Sequence, residues 1–108
     1  MLNSTIRMTV PAERRDGVLA VLSSVASWCR IEPGCIACRV YQDAEVESAI
    51  MLEQHWESRE DLERHLRSEE FRKVLVVVEM SLEPPEIRFE EISSSTGIEA
   101  IEKARSHL

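Results

Sequence analysis

The chain has 108 residues, with 13 basic and 20 acidic side chains and a formal net charge of −7. That length builds one domain with a real core, and 44% hydrophobic with 31% charged residues describes a folded chain, not a disordered one. The acidic balance argues against nucleic acid and anionic membrane surfaces as partners, because both select basic fields. No apolar run approaches the roughly 20 residues of a membrane helix. Residues 1–10 show neither the basic leader nor the apolar core of a secretion signal, so a cytoplasmic location is expected.

Residues 4–10 alternate, with Ile6, Met8 and Val10 on one side and Thr5, Arg7 and Thr9 on the other, which predicts a half-buried strand. Pro11 ends it and suits a first helical turn. Over residues 12–30, Val18, Leu22, Val25 and Cys29 keep the spacing of one helical face, with Glu13 and Asp16 near the positive end. Glu32-Pro33-Gly34 is a stop and turn.

Residues 35–41 predict a second strand, with Ile36, Cys38 and Val40 on one face and Ala37, Arg39 and Tyr41 on the other. A polar loop over 42–48 leads to a third strand, 49–57. There Ile50, Leu52, Gln54 and Trp56 face one way, and Met51, Glu53 and His55 the other. Ser58 is a helix cap, with Asp61 three residues on. Leu62, His65, Leu66, Phe71, Val74, Leu75 and Val78 then follow helical spacing. The run Val74 to Val78 has strand-like propensity, but the periodicity leading into it predicts helix. Pro84-Pro85 breaks that helix, and residues 86–92 alternate as a fourth strand. After a polar linker, Thr96 with Glu99 predicts a capped last helix bearing a stripe of Ile98, Ile101, Ala104 and Leu108.

The resulting order is β-α-β-β-α-β plus a C-terminal helix. This is the α+β ferredoxin-like pattern, a four-stranded antiparallel sheet with helices on one face. Residues 1–93 form the domain and 94–108 a helical extension.

Cys29, Cys35 and Cys38 are an odd number of thiols without a secretion signal, which argues against a disulfide framework. Cys35 and Cys38 form a C-x-x-C, but no second pair completes a zinc site. In a regular strand, residues three apart point to opposite faces, and the three are expected to be small buried or half-buried thiols.

Two stretches carry a family resemblance. Glu32-Pro33-Gly34-Cys35, running into Arg39-Val40-Tyr41, resembles the lead-in to strand two of the antibiotic biosynthesis monooxygenase domain. Trp56-Glu57-Ser58, followed by Leu62, His65, Ser68 and Phe71, is similar to that family's signature, as is Pro84-Pro85-Glu86 before the last strand. The likeness spans roughly residues 4–92. It departs from the common pattern at Gln54, where many members have Glu, and at Glu70, where many have His. The haem-degrading branch carries an axial His where this chain has Leu75, so haem is not expected.

The resemblance implies a homodimer joined through its sheets, with a pocket between sheet and helices. It also implies oxidation of a small electron-rich aromatic, quinol or polyketide-like compound by O2, with no cofactor and no metal. Such chemistry needs a base to form the substrate anion, an orienting donor and exclusion of water. His65 is the expected base and Trp56 the expected orienting donor, these two being the catalytic candidates. Gln54 and Phe71, with Arg39 and Tyr41, are the expected substrate-binding residues. Arg39 and Tyr41 share a sheet face and line either the cavity or the dimer interface, and Arg7 joins them from strand one. His55 points away from Trp56. A non-catalytic ligand-binding or sensing dimer and a proton-transfer isomerase are the alternatives, because both use the same pocket and base.

Overall fold

The strand at Leu2–Thr9 (β1) alternates buried and half-buried along its whole length, with Leu2, Ser4, Ile6 and Met8 facing inward. It is central because both of its edges are paired. β3 (Ala49–Trp56) lies on one side and β4 (Glu86–Glu91) on the other, both antiparallel. β2 (Cys35–Gln42) pairs outside β3, giving the order β2-β3-β1-β4. The computed structural model describes residues 1–106, and its sheet is the ferredoxin-like one that the element order predicts.

A 3-10 turn at Ala12–Arg14 follows Pro11 and leads into α1 (Arg15–Cys29). The buried face of α1 is the predicted one: Val18, Leu22, Val25 and Cys29, joined by Ala26. It packs with Ile6, Met8, Ile50 and Leu52 in a single core. Each fully buried aliphatic side chain there contributes about 1.5–3 kcal/mol. The opposite sheet face is open and carries Thr5, Arg7, Met51, Glu53 and His55.

The second helical segment is two helices, α2 (Arg59–Leu66) and α3 (Glu69–Val78), where the periodicity reads as one. Ser68 makes the break. Its backbone is extended, and its hydroxyl accepts from the Phe71 N–H at 3.2 Å and donates to the His65 carbonyl at 2.7 Å. The break also resets the buried face, so that Phe71, Val74 and Val77 are inside while Leu75 is 48% exposed. The β-branched run is helical because its tertiary face outweighs its propensity.

α4 (Ile98–Arg105) buries none of its residues. Gly97, not Thr96, stands at its N-cap, and Glu99 Oε1 accepts from the Gly97 N–H at 2.7 Å. Ile98 and Ile101 are exposed, and the last member of the predicted stripe, Leu108, lies outside the described residues.

Candidate functional site

Three local features converge at one end of the core. Alternation along β3 turns Gln54 and Trp56 inward. Ser58 caps α2, accepting from the Asp61 N–H at 3.2 Å, and the helix carries His65 inward on its last turn. The turn after α1 brings Glu32 to the same place. Gly34 makes that turn possible: its φ is +82°, and a Cβ there would collide with the Asp61 carboxyl group. The Gly34 carbonyl also accepts from the Glu57 N–H at 2.9 Å, pinning the turn to the end of β3.

The side chains form a linear chain of hydrogen bonds from Trp56 through Gln54 and His65 to Glu32. Trp56 Nε1 can only donate, and it faces Gln54 Oε1 at 3.4 Å. That sets the amide so that Gln54 Nε2 donates to His65 Nε2 at 3.0 Å. His65 Nε2 is therefore the acceptor and Nδ1 carries the proton, donated to Glu32 Oε2 at 2.9 Å. Burial pushes the His65 pKa below the ordinary imidazole value, against the opposing pull of the Glu32 carboxylate. The imidazole is thus neutral near pH 7. Its ring lies 4.9 Å from Trp56 and 5.4 Å edge-on from Phe71. In a straight helix, residues six apart lie about 120° apart around the axis, so the break at Ser68 is what brings Phe71 onto His65.

His65 is not the surface histidine that a pairing with Glu69 would make it; its side chain is 0% exposed, while that of Glu32 is 25% exposed. Asn3 Oδ1 and Arg15 Nε are buried without partners among the described residues, and neither belongs to this cluster.

The sequence-based candidates divide into two groups. His65, Trp56, Gln54 and Phe71 meet in the core. Arg39 and Tyr41 lie across the sheet from them: their β3 partners are Glu53 and Met51, on the open face, and Tyr41 Oη donates to Glu53 at 3.3 Å. A surface depression of about 270 Å³ at that face is lined by Arg7, Tyr41, Asp43 and Met51. His55 is also there, 3.4 Å from Glu53.

Sequence reasoning missed Glu32 and, while the thiols are buried or half-buried as expected, missed that they gather on the core face. Glu32 reads only as part of a turn, and nothing local signals that the turn folds back onto α2. The cysteines depart from a regular strand. A bulge between Cys35 and Ala37 leaves Ile36 51% exposed and sets Cys35 opposite Trp56 and Cys38 opposite Gln54, both inward positions. Cys35 and Cys38 therefore share the core face, where opposite faces were expected. Cys29 Sγ lies 3.7 Å from Cys35 Sγ, and Gln54 Nε2 lies 3.6 Å from both Cys29 Sγ and Cys38 Sγ. The neighbouring Cys38 thiol, followed by burial, pushes the Cys29 thiol up, while the neighbouring Cys29 thiol pulls Cys38 down against its own burial. Among the described residues no group of three or more His, Cys, Asp or Glu is arranged to hold a metal ion. None of the described helices is long and apolar enough to cross a membrane.

The model of the family described as "Antibiotic biosynthesis monooxygenase" matches residues 1–77. The chain belongs to the antibiotic biosynthesis monooxygenase family. Solved structures share its fold. One, an antibiotic biosynthesis monooxygenase, superposes with a TM-score of 0.78 at 21% identity, covering 87% of this chain and 100% of the other. A Mycobacterium tuberculosis protein gives 0.79 at 20% identity, covering 89% and 98%. A conserved Methanosarcina mazei protein gives 0.77 at 22% identity, covering 83% and 90%. At these identities the likeness is one of fold. Curated proteins gave no match. In antibiotic biosynthesis monooxygenase terms, the matched region takes in β1 to β3, α2 and nearly all of α3, and so every residue of the His65 cluster.

Proposed function

We propose that this member of the family is a cofactor-independent monooxygenase that oxidises a small electron-rich aromatic, quinol or polyketide-like compound with O2. The observation that carries the reading is the neutral His65 held between Glu32 and the Gln54 amide. Gln54 occupies the position a substrate hydroxyl needs. Its carbonyl accepts from Trp56 Nε1 and its amino group donates to His65 Nε2. A phenolic hydroxyl does both at once, accepting from the indole and donating to the imidazole.

When substrate displaces the Gln54 side chain, His65 Nε2 takes the hydroxyl proton and Glu32 stabilises the resulting imidazolium. Trp56 Nε1 then donates to the phenolate oxygen, and Phe71 supplies an apolar wall. The electron-rich anion reduces O2. For a quinol, four electrons pass from the ring to O2; one oxygen atom enters the ring to give a hydroxyquinone and the other leaves as water. Gln54 in its displaced position binds the substrate's second oxygen. Arg39 and Tyr41 belong to the open face, which we assign to sheet-to-sheet contact in a cytoplasmic homodimer.

Oxygen uptake by chelator-treated protein against a panel of quinols, catechols and naphthols tests the reading, with heat-killed protein as control. Saturable uptake that tracks folded protein is expected. Uptake equal to the control across the panel overturns it.

One observation favours a second reading. Both His65 nitrogens are already occupied, which suits a structural histidine in a non-catalytic ligand-binding dimer. Saturable binding without O2 uptake selects that reading. Substrate-proton exchange in deuterated water without O2 selects a proton-transfer isomerase.

A further inference from the structure

The oxygenase reading leaves Cys29, Cys35 and Cys38 without a role. The bulge at Ile36 turns Cys35 toward the C-terminal end of α1, where its sulfur meets that of Cys29 at 3.7 Å. A disulfide has an S–S length of about 2 Å, so closure asks for a sulfur movement of under about 2 Å. Cys29 and Cys38 are buried, and Cys35 alone of the three reaches solvent. An oxidant arriving from outside therefore meets Cys35 first, with Cys29 directly behind it. Cys38 is less well placed for Cys35. Their partners on β3, Gln54 and Trp56, are two residues apart, which is about 7 Å of strand and at the limit of what a disulfide spans.

We propose that Cys35 and Cys29 form a peroxide-reactive thiol site, with Cys35 the attacked residue and Cys29 the resolving one. The Cys35 thiol, whose pKa burial raises, gives its proton to solvent. The thiolate attacks the O–O bond of a hydroperoxide, and the S–O bond forms as the O–O bond breaks. The leaving oxygen takes up a proton from solvent, giving the Cys35 sulfenic acid and an alcohol, or water when the oxidant is hydrogen peroxide. The Cys29 sulfur then attacks the Cys35 sulfur, the S–S bond forms, and the sulfenic oxygen leaves as water with the Cys29 proton. The two thiols lose two electrons and the peroxide gains them. An external thiol returns the pair to its reduced state. The site shares Gln54 with the His65 network, but it stands apart from the oxygenase reading because it is read by covalent linkage and not by turnover.

The test uses the reduced full chain, one equivalent of hydrogen peroxide, and alkylation of the remaining thiols. Trypsin cuts after Arg30 and so places Cys29 in the peptide 16–30 and Cys35 and Cys38 together in 31–39. The expected product is a cross-link between these two peptides, with Cys38 alkylated. Cys35→Ser, a change at a partly exposed position, is expected to fold and to lose the cross-link, while Cys38→Ala keeps it. The same oxidation in denaturing urea is expected to shift the linkage toward the neighbouring C-x-x-C pair. A Cys35–Cys38 loop in the folded protein, a cross-link through Cys38, over-oxidation without a cross-link, or identical patterns in folded and unfolded protein would each overturn the proposal.

Discussion

Glu32 and His65, 33 residues apart in the chain, meet at 2.9 Å, with the histidine wholly buried and the carboxylate reaching solvent. The pair couples the turn after α1 to the last turn of α2. Both helices are laid against the sheet independently of it, so the contact depends on the path of the turn. It also suits one state of the imidazole, because the carboxylate accepts a hydrogen bond from Nδ1–H and Nε2 is left as the acceptor.

The burial of His65 predicts a pH-dependent stability. Its pKa is lowered in the folded state from the ordinary 6.5, chiefly by burial. The unfolded chain therefore binds more protons below that value. Stability is fully present above about pH 6.5 and is lost as pH falls through the folded-state pKa. Urea unfolding followed between neutral and mildly acidic pH checks this, and His65→Gln is expected to flatten that part of the profile.

Removing the imidazole is expected to lower any turnover by at least ~10²-fold, the usual scale for a general base. His65→Ala also leaves the Gln54 amide and the Glu32 carboxylate short of a partner. A stability loss of about 2–4 kcal/mol is expected, with the fold retained. Glu32→Gln keeps an acceptor for Nδ1–H but removes the charge that favours the imidazolium. Its His65 is expected to titrate lower still by NMR, and its turnover to fall while unfolding changes little. A wild-type rate in His65→Ala removes this residue from the mechanism.

Gly34→Ala places a methyl group against the Asp61 carboxyl group at a φ of +82°. A destabilisation of about 1–3 kcal/mol is expected from the backbone strain alone. The turn must also shift, which separates Glu32 from His65. The measurement is the His65 proton resonance together with the unfolding midpoint. A shifted midpoint with an unmoved resonance would show that the turn does not position Glu32.

The open sheet face and the solvent-facing α4 predict self-association. Sedimentation at micromolar concentration is expected to give a dimer. A pure monomer would remove Arg39 and Tyr41 from any interface.

Much of this was readable along the chain because it is local. Alternation over β1 and β3 named the inward residues, including Gln54 and Trp56. The helical spacing of α1 named its buried face, and Ser58 announced the cap of α2. His65 stood out as a histidine on an amphipathic helix. Its burial did not, because a helix's own sequence does not say how deep its last turn sits. Ser68 was present as a residue type but not as a break, since the apolar spacing continues through it.

The sequence by itself determined the inward faces of β1 and β3, the buried face of α1 and the α+β class with its strand order along the chain. These follow from periodicities of two and 3.6 residues, which each segment carries within itself. Only the tertiary structure decided that Glu32 holds His65, that Phe71 joins it across a helix break, that Arg39 and Tyr41 lie behind the sheet, and that a bulge gathers three thiols. Each of these is a contact between segments, set by how a turn or a register step directs the chain, and no local pattern encodes that direction.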